Sequence, residues 1–178
     1  TGYVYNCCHG HYAAFNDLRN YLLCKLQWDV DCDVEYHMMD FLKAYYGEAA
    51  APYIREILDL QTYQIKSTAH AFDFDWHYQA GFYPLGMVAD LNDLWEKALT
   101  ADITEEQLFN VETANLSWEY YKANQFLDKY TILNPFRHKR IEELYDSMIA
   151  HGITEVSSFQ EIPPKEEINF MQRPFNWG

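Results

Sequence analysis

Asp33-Val34-Glu35-Tyr36-His37-Met38-Met39-Asp40-Phe41-Leu42-Lys43-Ala44-Tyr45-Tyr46-Gly47 is the stretch that decides the fold. Asp33 is a natural N-cap, because its short carboxylate can accept the backbone N–H groups that a helix start leaves without partners. Val34, Met38, Phe41, Leu42 and Tyr45 then recur at three- and four-residue spacings, which puts them on one side of a helix. Gly47 stands where a helix closes on a left-handed residue, a conformation free of steric penalty only without a Cβ. Start, stripe and stop agree on one amphipathic helix.

The same reasoning extends outward from this helix. From Ala13 to Trp28, Phe15, Leu18, Leu22 and Leu26 form a stripe widened by Tyr21, and predict a first helix. Beyond Gly47, Ala50 to about Ala71 has Pro52 near its first turn and Ile54, Ile57, Leu58 and Ile65 as its apolar positions. Between Phe72 and Gly86 the period breaks, and Gly81, Pro84 and Gly86 mark an aromatic connecting loop. A fourth helix spans Met87 to Thr100, with Val88, Leu91, Trp95 and Ala98 on one face and Leu94 and Leu99 beside it. A fifth begins after Thr104, whose spacing to Gln107 makes a capping box, and turns Leu108, Val111, Trp118, Tyr121 and Phe126 inward. Asn134-Pro135 opens a sixth, which carries Ile141, Leu144, Tyr145 and Met148 and stops at Gly152.

The expected fold class is therefore all-α, an antiparallel-leaning bundle or array of about six helices over residues 13–152. Residues 153–178 have no helical period and contain Pro163, Pro164 and Pro174, yet they keep Phe159, Ile162, Phe170, Phe175 and Trp177. A segment with so many apolar anchors is expected to run extended and dock by its rings. Internal repeats and low-complexity tracts are absent from the sequence.

Composition sets the outer limits. A chain of 178 residues that is 49% hydrophobic can fill one core, and 17% aromatics mean that large rings build it. The 13 Lys and Arg against 27 Asp and Glu give a formal charge of -14, which repels phosphate backbones and anionic headgroups, so neither nucleic acid nor membrane is an expected partner. No apolar run approaches the roughly 18 to 20 residues needed to cross a bilayer. Thr1-Gly2-Tyr3-Val4-Tyr5 lacks the basic start of a signal peptide. The four cysteines show no C-x-x-C spacing, which argues against zinc-ribbon and thioredoxin chemistry. Cys24 and Cys32 could be bridged across a helix end or could be two small buried thiols, and the second reading needs less.

Leu18-Arg19-Asn20-Tyr21-Leu22-Leu23-Cys24-Lys25-Leu26-Gln27-Trp28-Asp29, with Asp33-Val34 and then Phe41 to Ala50, carries a resemblance. It resembles the C-terminal part of a family of uncharacterised, glycoside-hydrolase-like proteins common in gut Bacteroidetes. Their shared pattern is L-x-x-Y-L-x-x-K-L-x-W-[DN], then D-V, then F-x-x-x-Y-Y-G-x-A-A, and similar segments follow the barrel in α-glucuronidase-like and hexosaminidase-like hydrolases. Val30 departs from it, at a loop position where a proline is common. The resemblance implies an upstream (β/α)8 barrel of the same protein as partner, with the acid and base carboxylates on that barrel and a periplasmic or secreted location. It also implies that residues 1–12 lead out of the last barrel strand, and that no catalytic residue carries over to this chain.

Several residue groups could form sites, and each also has a structural role open to it. Asp29, Asp31 and Asp33 mimic the first ligands of a calcium loop, but Val34 stands where the sharp turn needs glycine and Asp40 where a glutamate is usual. A polar inter-helix loop ending in an N-cap accounts for the same residues, and neither a metal nor a cofactor is assigned. His9 and His11 project to one side of an extended segment, a geometry suited to a metal with a third ligand or to the lining of a sugar pocket. Asp73 and Asp75 sit at a spacing glycosidases use, but no surrounding cleft can be read from sequence. Phe74, Trp76 and Tyr78, with Phe72, Phe82 and Tyr83, either present a stacking platform for carbohydrate or pack between helices, as irregular spacing favours. The leading expectation is a non-catalytic helical domain that buttresses a barrel, and the alternative is a stand-alone module binding carbohydrate or protein on an aromatic surface. An apolar face cut off from its barrel would also favour a homodimer.

Overall fold

Asp33 caps the second helix as its position demands, with its carboxylate accepting the Tyr36 N–H at 3.0 Å. This cap belongs to a computed structural model that describes residues 14–67, 82–125, 136–157 and 160–167. The described helices are α1 (Asn16–Trp28), α2 (Val34–Tyr46), α3 (Ala51–Ser67), α4 (Leu85–Leu99), α5 (Glu105–Gln125) and α6 (Phe136–Ala150). The fold is all-α, and helices pack on one another. One short antiparallel ribbon, β1 (Glu155–Ser157) with β2 (Gln160–Glu161), and a 3-10 turn at Lys165–Glu167 follow the helices.

Backbone contacts group the chain into two compact units, residues 17–115 and residues 1–16 with 116–178. In the first, α3 packs against both α2 and α4. Leu42, Ile54, Ile57, Leu91 and Val111 are completely enclosed, and each such side chain contributes ~1.5–3 kcal/mol by leaving water. Trp95 and Tyr46 bring large rings into the same core.

Several junctions hold this unit together. Gly47 ends α2 at φ 92 and ψ 148, where a side chain would be strained. A Cβ there would lie 2.5 Å from Ile103 Cγ2 and 2.8 Å from Gln107 Oε1, so the backbone approaches the α4–α5 connection as closely as glycine permits. Thr104 and Gln107 form the predicted capping box: Thr104 N–H donates to Gln107 Oε1 at 3.1 Å, and Gln107 N–H donates to Thr104 Oγ1 at 3.2 Å. The same Gln107 amide donates through Nε2 to Ala44 O at 3.5 Å, and Asn110 Nδ2 donates to Tyr45 O at 3.0 Å. These carbonyls are among the last of α2, which have no acceptor role within the helix.

Two expectations about α1 and α3 change. α1 begins at Asn16, not Ala13, because Phe15 adopts φ 58, which an α-helix cannot continue. In α3, Ile65 is 40% exposed while Gln64 is buried. At 3.6 residues per turn, position 64 lies almost directly below Ile57 and position 65 almost directly below Ile54, so both fall on the buried side by period, and Ile65 is exposed because the core does not extend over that last turn of α3. Buried Gln64 is satisfied because its Nε2 donates to Phe82 O at 2.5 Å.

In the second unit, Leu116, Leu144, Met148 and Ile153 form the core, with Tyr120, Tyr145 and Ile162 packed on it. Gly152, at φ 73, closes α6. Ile153 N–H donates to Met148 O at 2.9 Å and Gly152 N–H to Ile149 O at 3.0 Å, while Ile153 and Met148 share the core. This is a Schellman ending with its hydrophobic contact. The chain beyond it is docked on α6 by Tyr145 Oη donating to Pro163 O at 3.3 Å and by Lys165 Nζ at 2.8 Å from Asp146 Oδ1. The tail rings Phe159, Phe170, Phe175 and Trp177, and the Asn134-Pro135 helix start, lie outside the described residues.

Candidate functional site

His9, His11, Phe74, Trp76 and Tyr78 lie outside the described residues, as do Phe72, Asp73 and Asp75. Phe82 and Tyr83 are described and half-buried, with ring centroids 4.8 Å apart in a T-shaped pair. These two rings pack. The surface best equipped for recognition is instead the hairpin of α1 and α2, whose side chains combine exposed apolar groups, aromatic rings and carboxylates.

Its turn is built by the three aspartates. Asp29 Oδ1 accepts the Asp31 N–H at 3.0 Å, Asp29 O accepts the Cys32 N–H at 3.3 Å, and Asp33 caps α2. The inter-helix loop ending in a cap is thus the role these carboxylates fill. Among the described residues, no group of three or more His, Cys, Asp or Glu side chains is placed to hold a metal ion. The turn leaves Trp28 94% exposed and Val30 79% exposed, followed by Tyr36 at 64%. Sequence reading placed Trp28 at a helix end but missed this exposure, and the available signal was its position beside alternating aspartates.

Along α2, Asp33, Glu35, Tyr36, Met39, Asp40 and Lys43 line an open groove of about 420 Å³. Of these, Glu35 is paired with Arg55, whose Nη1 lies 2.8 Å from Glu35 Oε1 and whose Nη2 lies 3.0 Å from Asp59 Oδ1. Lys43 is 3.5 Å from Glu48.

An aromatic seam joins α1 to α2. Tyr21 lies 5.2 Å from Phe41, Phe41 stacks on Tyr45 at 4.9 Å, and Tyr45 meets Tyr46 edge-on at 5.0 Å. Acidic residues anchor the hydroxyls: Tyr21 Oη donates to Asp40 at 3.2 Å and Tyr45 Oη to Asp17 at 2.9 Å. Burial, reinforced by the hydrogen bond to Asp17 and its charge, pushes the Tyr45 phenol up to about 12. Deeper burial pushes Tyr46 higher still, helped by the charges of Tyr45 and Asp17.

Cys24 and Cys32 are free thiols, and Cys24 is exposed. The buried-thiol reading is therefore corrected for Cys24. Two residues past Leu22, it is rotated roughly 200° around the helix, away from the apolar stripe.

The hairpin lies within a stretch that matches a family model. Residues 3–59 match a domain of unknown function, DUF4838. No curated protein and no solved structure matches the chain. The DUF4838 segment covers about a third of the chain and takes in α1, α2 and the first half of α3. It contains the turn aspartates, Trp28, the aromatic seam and Gly47. Among the described residues, no helix is long and apolar enough to cross a membrane.

Proposed function

We propose that this chain is a non-catalytic C-terminal helical domain of a glycoside-hydrolase-like, carbohydrate-processing protein, packing against and supporting an upstream catalytic barrel. The parent would work in the periplasm or outside the cell, as its resemblance to exported hydrolases implies. The observation that carries the reading is the incomplete burial of α1. Leu18 is its one buried residue, Leu22, Leu23 and Leu26 remain partly exposed, and the helix ends on a fully presented indole. A helix that matches a recurrent domain and leaves its apolar stripe half open is built to be covered by something else.

Six carboxylates of the hairpin and α3 do local work, which supports a structural role. Asp33 caps a helix, Asp29 shapes a turn, Asp17 and Asp40 bind tyrosine hydroxyls, and Glu35 and Asp59 hold Arg55. The alternative is a stand-alone module that binds carbohydrate or protein on an aromatic surface, and the exposed Tyr36 beside the groove carboxylates gives it a physical basis. Titrating the chain with plant and mucin glycans, and assaying it on aryl glycosides, separates the readings. Buttressing predicts neither saturable glycan binding nor turnover. Saturable binding to one glycan class transfers the function to the module, and turnover by this chain alone refutes both.

A further inference from the structure

We propose that the α1–α2 turn, from Trp28 to Tyr36, docks a basic polypeptide segment whose apolar side chains cover Trp28, Val30 and Tyr36 while its Lys or Arg side chains meet Asp29, Asp31 and Asp40. This rests on the reading of the hairpin as a docking edge, and it adds the chemistry of what docks there.

The apolar part is direct. Trp28, Val30 and Tyr36 are 94%, 79% and 64% exposed and lie within nine residues of one another. Exposed large apolar groups close together in sequence on a firmly held turn are of the kind found at the centre of a protein interface, where tryptophan and tyrosine act as anchors. The turn is already fixed by the Asp29–Asp31 hydrogen bond, the Cys32 N–H bond to Asp29 O and the Asp33 cap, so docking orders little further chain.

Charge selects the occupant. Asp29, Asp31, Asp33 and Asp40 are all exposed around these groups. The neighbouring cations have other commitments: Lys43 pairs with Glu48, Arg55 with Glu35 and Asp59, and Lys25 lies 5.0 Å over the Tyr21 ring. The turn therefore keeps a negative field. A second copy of this chain, at a formal -14, would meet that field with like charge, and a nucleic acid or an anionic bilayer would be repelled. A basic segment that also carries apolar side chains satisfies both features.

The test uses the full chain and a fluorescently labelled amphipathic helical peptide of Lys and Leu, with an all-polar Lys and Ser peptide and a Glu and Leu peptide as comparisons. Anisotropy titrations follow the wild type, a Trp28→Ser/Val30→Ser variant and an Asp29→Asn/Asp31→Asn variant at low and high salt. All four substituted side chains are exposed, and asparagine keeps the Oδ1 acceptor of the turn, so circular dichroism should be unchanged. The expected result is binding of the Lys and Leu peptide that weakens about tenfold or more in each variant, with a shallower salt dependence after the aspartate substitutions. Loss in the tryptophan variant alone overturns the basic occupant while leaving the docking edge intact. Equal binding by all three proteins, or equal binding of the Glu and Leu peptide, overturns the proposal, and the glycan titration then still decides the broader function.

Discussion

Replacing Gly47 by alanine tests the packing logic of the first unit most sharply. Two costs add at this position. The backbone, at φ 92 and ψ 148, lies in a region that non-glycine residues enter at a cost of ~1–3 kcal/mol. The new Cβ also lands 2.5 Å from Ile103 Cγ2 and 2.8 Å from Gln107 Oε1, and overpacking of this kind costs ~1–3 kcal/mol. Gln107 cannot simply retreat, because its amide both completes the Thr104 capping box and reaches Ala44 O. The expected destabilisation is ~2–6 kcal/mol, a large part of the ~5–15 kcal/mol that a typical domain possesses. Urea denaturation followed by far-ultraviolet circular dichroism measures it, with two glycines as internal standards. Gly152 has φ 73 but open space around a would-be Cβ, so Gly152→Ala should cost only ~1–2 kcal/mol. Gly86 lies within α4 with nothing nearby, so Gly86→Ala should be neutral or stabilise by ~0.5–1 kcal/mol. If Gly47→Ala falls within ~1 kcal/mol of wild type, or ranks below Gly152→Ala, the close approach of α2 to the α4–α5 connection is wrong.

Asn110→Ala should cost ~1–2 kcal/mol by stranding the Tyr45 carbonyl, and Asn110→Asp should fail to rescue it because a carboxylate offers no donor. Ile54→Ala should cost ~2–5 kcal/mol, against less than ~1 kcal/mol for Ile65→Ser, and the reverse order in chemical denaturation would mean that the core covers the last turn of α3 and not its first. Alkali should also destabilise the chain. The Tyr45 phenol holds its proton to about 12 when folded, against an ordinary 10.0, so the unfolded chain deprotonates first. Its stabilisation is complete below pH 10 and is lost as pH rises toward 12. Phenolate absorbance during unfolding at graded pH should show this loss, and Tyr45→Phe should reduce it to the share that Tyr46 supplies; an unchanged slope removes the role of Tyr45.

How much of this was legible depended on whether a residue's job is local. The Asp33 cap, the Thr104–Gln107 box, the stripe of α4 and the Gly152 stop all act within a few positions, and each is where the sequence put it. What pattern could not supply were matters set by distant chain. Gln64 is buried because Phe82 O supplies an acceptor eighteen residues on, and its polarity hid it among the isoleucines. The contact of Gln107 and Asn110 with the end of α2 spans more than sixty positions and has no periodic signature. The exposure of Trp28 was harder to read, since hydrophobicity predicts burial and only its place beside alternating aspartates pointed the other way. Asp29 and Asp31, candidate ligands by their spacing, flank the exposed Val30 and follow the exposed Trp28.

The bridge from Gln107 and Asn110 to Ala44 and Tyr45 also bears on where this molecule may be cut. The matched segment stops at residue 59, midway along α3, whereas the side chains that finish α2 come from more than forty residues downstream. A recombinant piece trimmed to that border would strand two carbonyls, expose Ile54 and Ile57 and lose the neighbour that makes Gly47 obligatory. The matched stretch is thus shorter than the compact unit that holds it, and soluble expression should begin only when the boundary is moved past residue 115.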